Sequence, residues 1–267
     1  MNAYEQARSS FELSIPNNPN FVTHVFDKWA ADPSLEALFW VSADKPTPQV
    51  RHFSYRYLAE QSHRVACAFH KLGLRKGDRV VIMLPRIHEW WELTLGMLRL
   101  GVVVVPCTML LVNKDIEYRL VSCGARGFIG SHESASQFIK VANCPSTLEF
   151  TIYVDDYFQT SKPVPSSQHK WINYKDLLSS VPEKSRWQGT HFRADDPSII
   201  YFTSGTTGMP KMVQHTQTSY PLAHIITGKY WLKLAPRKVY WNTSEQGWAK
   251  AAWSFFSAFV IPISIVM

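Results

Sequence analysis

The chain has 267 residues, enough for one large domain or two ordinary ones. Its hydrophobic content of 46 % supplies a sizeable core and excludes a largely disordered chain. The 28 Lys and Arg residues outnumber the 21 Asp and Glu residues, and the net charge of +7 suits anionic ligands such as nucleotides. No five-residue window is dominated by Lys and Arg, so we do not expect a nucleic-acid partner.

The cysteines and the N-terminal segment bear on the compartment. The four cysteines lie far apart and form no CxxC pair, which favours reduced intracellular thiols over a zinc site or a disulfide framework: Cys67, Cys107, Cys123 and Cys144. The first 20 residues lack a long apolar run and contain Glu5 and Glu12. They therefore carry no clear targeting signal, and we expect a cytoplasmic or mitochondrial protein.

Helix and strand signals alternate from about residue 50. Ser54 is a typical N-cap for a helix with the apolar face Leu58, Val65, Phe69 and Leu72, which Gly73 ends. The pattern then predicts strands over 79–85, 102–106, 127–130 and 148–154, separated by helices over 89–100, from Asn113 to Gly124, and over 132–143. Residues 157–168 predict a surface loop, and residues 171–181 a short helix. Repeated strand–helix–strand units of this kind indicate an α/β fold with doubly wound, mostly parallel sheets.

Residues 251–267 form an uncharged apolar tail of 17 residues. A helix that crosses a bilayer needs about 20 apolar residues, and this segment also contains three serines and Pro262. We therefore favour a buried core helix over a membrane span. Because the tail ends without a cap, charge or turn, we expect the domain to continue beyond Met267. The tail would then be exposed in the chain as given.

A loop rich in hydroxyl groups follows the short apolar strand predicted at 198–202. It has four hydroxyl side chains, two glycines and one lysine in nine residues: Thr203, Ser204, Gly205, Thr206, Thr207, Gly208, Met209, Pro210 and Lys211. The glycines let backbone N–H groups approach phosphate oxygens, the hydroxyls donate further hydrogen bonds, and Lys211 adds a positive charge. The order GxxGxxK differs from the P-loop of common NTPases, and residues 212–215 predict a returning strand, so the loop would be a hairpin tip. The alternative is a surface turn without a ligand.

The string YFTSGTTGMPK resembles the phosphate-binding signature of the adenylate-forming superfamily, which includes acyl-CoA synthetases, adenylation domains of peptide synthetases, and luciferases. Further segments resemble the N-terminal subdomain of that family: GDRV at 77–80, LPR with EWW at 84–91, and RLG before VP at 99–106. Residues 241–248 (WNTSEQGW) resemble a segment of acetyl- and medium-chain acyl-CoA synthetases, and PRIHEWW favours the medium-chain branch. The resemblance covers roughly residues 20–260.

The resemblance implies an enzyme that activates a carboxylate in two steps. The carboxylate attacks the α-phosphorus of Mg²⁺-bound ATP to give an acyl-adenylate and pyrophosphate, and the thiol of coenzyme A then takes the acyl group. Residues 203–211 would hold the β- and γ-phosphates, with Thr206 and Thr207 as the best hydroxyl candidates. The expected partners are ATP, a carboxylic (fatty) acid and coenzyme A.

Two positions, one aromatic and one histidine, leave alternatives open. Trp248 would wall the acyl pocket in related synthetases, or it is a core aromatic residue. His215 faces the substrate, or it is an ordinary core histidine in an apolar strand. We interpret the pair Trp90 and Trp91 as packing residues on a buried helix face.

Several features of the family are missing from the 267 residues. These are a YGxTE-type motif that binds Mg²⁺ and borders adenine, an acidic residue for the ribose, a hinge, and a C-terminal lysine. We therefore expect an N-terminal extension at 1–20 and a partial AMP-binding domain at 21–267, without the C-terminal lid domain. We assign no catalytic residue and no metal ligand, and the oligomeric state stays open. Two function classes remain: an acyl-CoA synthetase of which this is an N-terminal part, inactive alone, or a non-catalytic fragment that binds nucleotide or protein.

Overall fold

The structure is a computed structural model that describes residues 2–12, 14–42, 47–155, 164–165, 169–204 and 208–266. The described residues form these strands: β1 Glu36–Ser42, β2 Gln49–Ser54, β3 Arg79–Met83, β4 Val103–Pro106, β5 Gly127–Gly130, β6 Phe150–Tyr153, β7 Trp171–Asn173, β8 Pro197–Thr203, β9 Lys211–Thr216, β10 Val239–Trp241 and β11 Ser264–Val266. The α-helices are α1 Ala3–Ser9, α2 Asp27–Ala30, α3 Tyr55–Lys71, α4 Glu89–Leu100, α5 Asn113–Cys123, α6 His132–Phe138, α7 Tyr174–Ser179, α8 Ser219–Ile226 and α9 Ala258–Val260.

Seven strands form the main sheet in the order β7-β6-β5-β3-β4-β8-β9. All neighbours in it are parallel except β9, which runs antiparallel to β8. Alternate residues of β3 enter two separate cores: Val80 and Ile82 pack with α3, α4 and α7, whereas Val81 and Met83 pack with α5 and α6. Helices therefore cover both faces, which confirms the predicted doubly wound, mostly parallel α/β fold.

Local signals set the helix ends as predicted. The Ser54 hydroxyl accepts a hydrogen bond from the backbone N–H of Tyr57 at 3.0 Å, which caps α3. Gly101 ends α4 with a φ of 90°, a backbone conformation that favours glycine. Trp90 and Trp91 are both buried in this helix, which confirms their interpretation as packing residues. All four cysteines are free thiols.

Two of the predicted helices have different bounds in the structure. Helix α6 ends at Phe138 rather than at 143, because hydrogen bonds from Lys140 to Gln137 and from Val141 to Phe138 tighten the chain into a turn. Residues 171–173 form strand β7 rather than the start of a helix, because they pair with β6, with Ile172 opposite Ile152. The surface loop predicted at 157–168 lies outside the described residues, apart from 164 and 165.

The C-terminal tail is buried, as the core-helix prediction implied, but it is not a single helix, and the expectation of an exposed tail was wrong. Short helical turns at Trp253–Ser257 and α9 lead into β11, which lies between β10 and β1 in a second, four-stranded sheet of order β10-β11-β1-β2. Phe255, Phe256 and Phe259 are buried in the larger core. None of the described helices combines the length and the hydropathy needed to cross a bilayer.

Candidate functional site

The hydroxyl-rich loop lies at the carboxyl edge of the main sheet. Thr203 at the end of β8 pairs with Lys211 at the start of β9, so β8 and β9 form an antiparallel hairpin, as predicted. Gly205, Thr206 and Thr207 lie outside the described residues. Strands β3 and β4 end at the same edge, which is where open α/β sheets generally bind ligands.

The described part of this loop is largely exposed and needs glycine at one position. Gly208 has a φ of +94°, and a Cβ built on it would contact nothing within 4 Å. The backbone conformation, rather than crowding, therefore requires glycine there. The side chains of Met209 and Lys211 are both exposed to solvent.

Helix α5 contacts the described part of this loop. The Tyr118 hydroxyl donates a hydrogen bond to the Pro210 carbonyl at 2.9 Å, and the Tyr118 ring packs edge-on against Phe202. The Arg119 guanidinium carbon lies 5.2 Å from the centre of the Phe202 ring. The sequence analysis missed Tyr118 and Arg119, because their contacts with the loop join positions about 90 residues apart.

Residues 242–248 lie against the carboxyl ends of β3 and β4. The Glu245 carboxylate accepts hydrogen bonds from the Thr108 hydroxyl and the Met109 backbone N–H, both at 2.5 Å. Arg86, after β3, donates to the Thr243 carbonyl. These contacts hold the segment against the carboxyl ends of both β3 and β4. The sequence analysis assigned no role to Glu245 or Arg86.

A cavity of about 220 Å³ lies between this segment, α5 and β8. Its lining includes Trp248, Phe202, Arg119 and Cys107. Trp248 is 52 % exposed, so it is a cavity wall open to solvent and not a core aromatic residue. Burial raises the pKa of the Cys107 thiol to about 12, which keeps that thiol protonated and unreactive at neutral pH.

His215 lies apart from this cavity and does not line it. Its ring is half-buried and stacks on Tyr220 with ring centres 3.7 Å apart. Tyr220 in turn packs edge-on against His224, whose Nδ1 lies 2.9 Å from the Ser257 hydroxyl oxygen. Burial lowers the pKa of His215, so its imidazole is neutral at pH 7. Because Trp248 lines the cavity and His215 does not, the structure does not bring these two residues together.

The geometry is that of an α/β protein with a candidate ligand site at the carboxyl edge of its sheet, where the β8–β9 hairpin adjoins a cavity. Within the described residues, no three His, Cys, Asp or Glu side chains lie close enough to hold a metal ion. The sequence profile of the AMP-binding enzyme family matches residues 26–267, and the chain belongs to this family.

Two similar proteins are mitochondrial acyl-coenzyme A synthetases. The chain is 36 % identical over 252 residues to the mitochondrial acyl-coenzyme A synthetase ACSM5 of Homo sapiens, an alignment that covers 91 % of this chain and 41 % of the relative. It is 36 % identical over 255 residues to the mitochondrial acyl-coenzyme A synthetase ACSM4 of Mus musculus, with 92 % and 41 % covered. The chain thus spans about two fifths of the length of these relatives.

Solved structures show the same fold. An acyl-CoA synthetase of Brucella canis superposes with a TM-score of 0.84 at 20 % identity, covering 100 % of this chain and 47 % of that one. The anthranilate CoA ligase AuaEII, solved in complex with anthranoyl-AMP, gives a TM-score of 0.80 at 22 % identity, covering 95 % and 45 %.

Proposed function

We propose that this chain is the N-terminal part of an AMP-forming acyl-CoA synthetase of the medium-chain type. The enzyme would join a carboxylic (fatty) acid to ATP, giving an acyl-adenylate and pyrophosphate, and then pass the acyl group to the thiol of coenzyme A. The observation that carries the proposal is the hairpin loop at the carboxyl edge of the sheet, beside a cavity with a tryptophan wall. Membership of the AMP-binding enzyme family supports it.

In this proposal residues 203–211 hold the β- and γ-phosphates of ATP. The hydroxyls of Thr203, Ser204, Thr206 and Thr207 and the backbone N–H groups around the two glycines donate hydrogen bonds, and Lys211 supplies the charge. Charge neutralisation of this kind stabilises the pyrophosphate leaving group in phosphoryl chemistry. Mg²⁺ would arrive bound to ATP and neutralise further phosphate charge. Tyr118 would position the loop through Pro210.

The cavity beside Trp248 would take the acyl part of the acid. His215 is stacked on Tyr220 outside that cavity, so in this proposal it does not contact the acyl group. The domain division proposed is an N-terminal extension at 1–20 and an AMP-binding domain that starts at residue 21. Because the named relatives are mitochondrial, we also propose a mitochondrial location for this protein.

The test compares ATP binding by the 267-residue chain and by two lysine variants, measured by calorimetry. Lys211→Ala should weaken ATP binding at least about tenfold, because one charge-assisted contact to phosphate is lost. Lys114→Ala is the matched control, since this exposed lysine lies at the start of α5 and outside the loop. Equal ATP affinity in the wild type and in Lys211→Ala would contradict the phosphate role.

A second measurement separates the two function classes. In the complete enzyme, Lys211→Ala should slow ATP–pyrophosphate exchange more than it weakens binding of the acid. A complete protein that binds ATP but shows no exchange with any fatty acid would favour the non-catalytic alternative.

A further inference from the structure

We propose that Arg119 recognises the carboxylate of an apolar monocarboxylic acid bound in the cavity beside Trp248. The inference rests on the proposed function, because the acid would be the one that the enzyme activates. It adds the binding group, its place in the fold, and a limit on the size of the ligand.

Among the described residues, the buried Arg119 guanidinium has no carboxylate counter-ion. The residue is only 9 % exposed, and its one hydrogen bond among the described residues runs from Nη1 to the Asp115 carbonyl at 2.9 Å. No described Asp or Glu forms an ion pair with it. Arg99, which is 2 % exposed, shows the usual arrangement: it donates to both carboxylate oxygens of Asp27, at 2.8 and 2.6 Å. Burying an unpaired charge costs free energy. An anionic ligand bound to Arg119 would therefore be stabilised by pairing with its guanidinium.

Most of the residues around this guanidinium have apolar side chains. Among the described residues that line the cavity, Arg119 is the one that carries a charge, and Leu111, Phe202 and Trp248 contribute apolar side chains. The Thr108 hydroxyl, also in the lining, already donates its hydrogen bond to the Glu245 carboxylate. A ligand that satisfies these walls has one anionic group on an apolar body. A volume of about 220 Å³ is below the roughly 300–1,000 Å³ of pockets for drug-sized ligands, which favours a small acid.

Arg119 also lies at the place where an activated acid would be needed. The Phe202 ring on which it packs directly precedes Thr203, the first residue of the proposed phosphate loop. The neighbouring Tyr118 holds Pro210 of the same loop. A carboxylate on Arg119 would therefore lie close to the phosphates. A polyphosphate fits the cavity less well, because it is strongly hydrated and the apolar walls offer few donors to replace water.

The experiment measures binding of three probes to the 267-residue chain by calorimetry: hexanoate, its neutral analogue hexanamide, and pyrophosphate. In the wild type, hexanoate should bind at least about tenfold more tightly than hexanamide. In Arg119→Met this preference should disappear, with hexanamide and pyrophosphate affinities unchanged. Arg119→Lys keeps the charge without the planar fork, so it should retain part of the preference even if the Met variant folds poorly.

Arg79→Met is the matched control. Arg79 also donates to a carbonyl of α5, that of Cys123 at 3.0 Å, but it lies at the amino end of β3, on the opposite edge of the sheet. This variant loses a comparable contact to the same helix and should keep the full hexanoate preference.

Three results would overturn the inference. They are an equal hexanoate preference in Arg119→Met and the wild type, a loss of the preference in Arg79→Met as well, or a loss of pyrophosphate binding alone in Arg119→Met. The last result would assign Arg119 to the phosphates. Failure of the proposed function is distinct, because it would appear as ATP binding that does not depend on Lys211, whatever the hexanoate result.

Discussion

At Gly247 two backbone segments lie too close for any side chain. A Cβ built there would lie 2.0 Å from the Thr108 nitrogen and 2.2 Å from the Cys107 carbonyl carbon. These are backbone atoms, so rotation of a side chain cannot relieve the clash. The closeness follows from the two Glu245 hydrogen bonds, which hold residues 242–248 against the end of β4.

Gly247→Ala should therefore lower the free energy of unfolding by about 1–3 kcal/mol, the usual cost of overpacking. It should also weaken hexanoate binding, because Trp248 would move with the segment. Gly127→Ala is the control, since a Cβ there meets the Val80 side chain at an ordinary 3.4 Å. Denaturant unfolding and calorimetry measure the two effects. A Gly247→Ala protein as stable as the Gly127→Ala protein would refute this account of the contact.

His224 should make the stability depend on pH. Burial, with a smaller contribution from the nearby His215, lowers the pKa of His224 from 6.5 to about 4. Between pH 4 and pH 6.5 the unfolded chain binds this proton and the folded chain does not. The stability that the neutral ring contributes is thus present above pH 6.5 and is lost as the pH falls toward 4.

The loss attributable to His224 should reach at most about 3 kcal/mol over that window. His224→Gln should reduce the pH dependence of the free energy of unfolding, measured by denaturant titration at each pH. The rest of the slope should come from His63 and His88, because burial also lowers the pKa of each to about 4. Ser257→Ala removes the hydroxyl beside Nδ1 but keeps the buried ring, so it should lower stability and leave the slope in place. Identical slopes in the wild type and in His224→Gln would show that this histidine does not contribute.

On the scale of elements, Tyr118 joins α5 to the β8–β9 hairpin through its contacts with Pro210 and Phe202. Tyr118→Phe removes the hydrogen bond to Pro210 and keeps the ring contact with Phe202. We expect a loss of about 0.5–1.5 kcal/mol in stability and faster amide hydrogen exchange at 211–213. ATP binding should weaken several-fold, because the loop would be less well ordered before binding. Tyr230→Phe, at a partly exposed ring, should change neither measurement.

The sequence predicted features that depend on nearby residues and missed those that depend on residues far along the chain. Helix ends such as Ser54 and Gly101, and the antiparallel pairing of β8 with β9, depend on neighbours within about twenty positions, and these predictions were confirmed. Strand β7 was missed because its three residues are held as a strand by pairing with β6. The Glu245 contact with Thr108 joins positions 137 apart, and no local pattern reports such a pairing.

For the whole molecule, the C-terminal tail connects the two sheets. Strand β11 pairs with β1 in the four-stranded sheet, and Ile265 and Leu38 lie in the same core as Val80 and Ile82 of the main sheet. The sequence showed an apolar tail but not its partner, because β1 lies more than 200 residues earlier. The expectation of an exposed tail failed because the tail's partner is in the N-terminal part of the same chain.

Phe259 lies at the centre of this connection. Its fully buried ring packs edge-on against Phe26, Tyr55 and Phe255, and its carbonyl accepts a hydrogen bond from the Trp29 indole at 2.9 Å. Phe259→Ala should cost about 3–5 kcal/mol, because truncation of a buried Phe leaves a cavity. Since one core serves both sheets, amides of β1 and β5 should lose hydrogen-exchange protection together.

Trp231→Ala is the matched control for Phe259→Ala, because this ring is 61 % exposed and contacts Trp253 at the surface. It should cost less than about 1 kcal/mol, since little apolar area leaves water there on folding. Chemical denaturation should show a single transition for both variants, with only Phe259→Ala shifted far toward lower denaturant. Loss of protection in β1 while β5 keeps its wild-type protection would mean that the two sheets unfold independently, and the shared core would then not couple them.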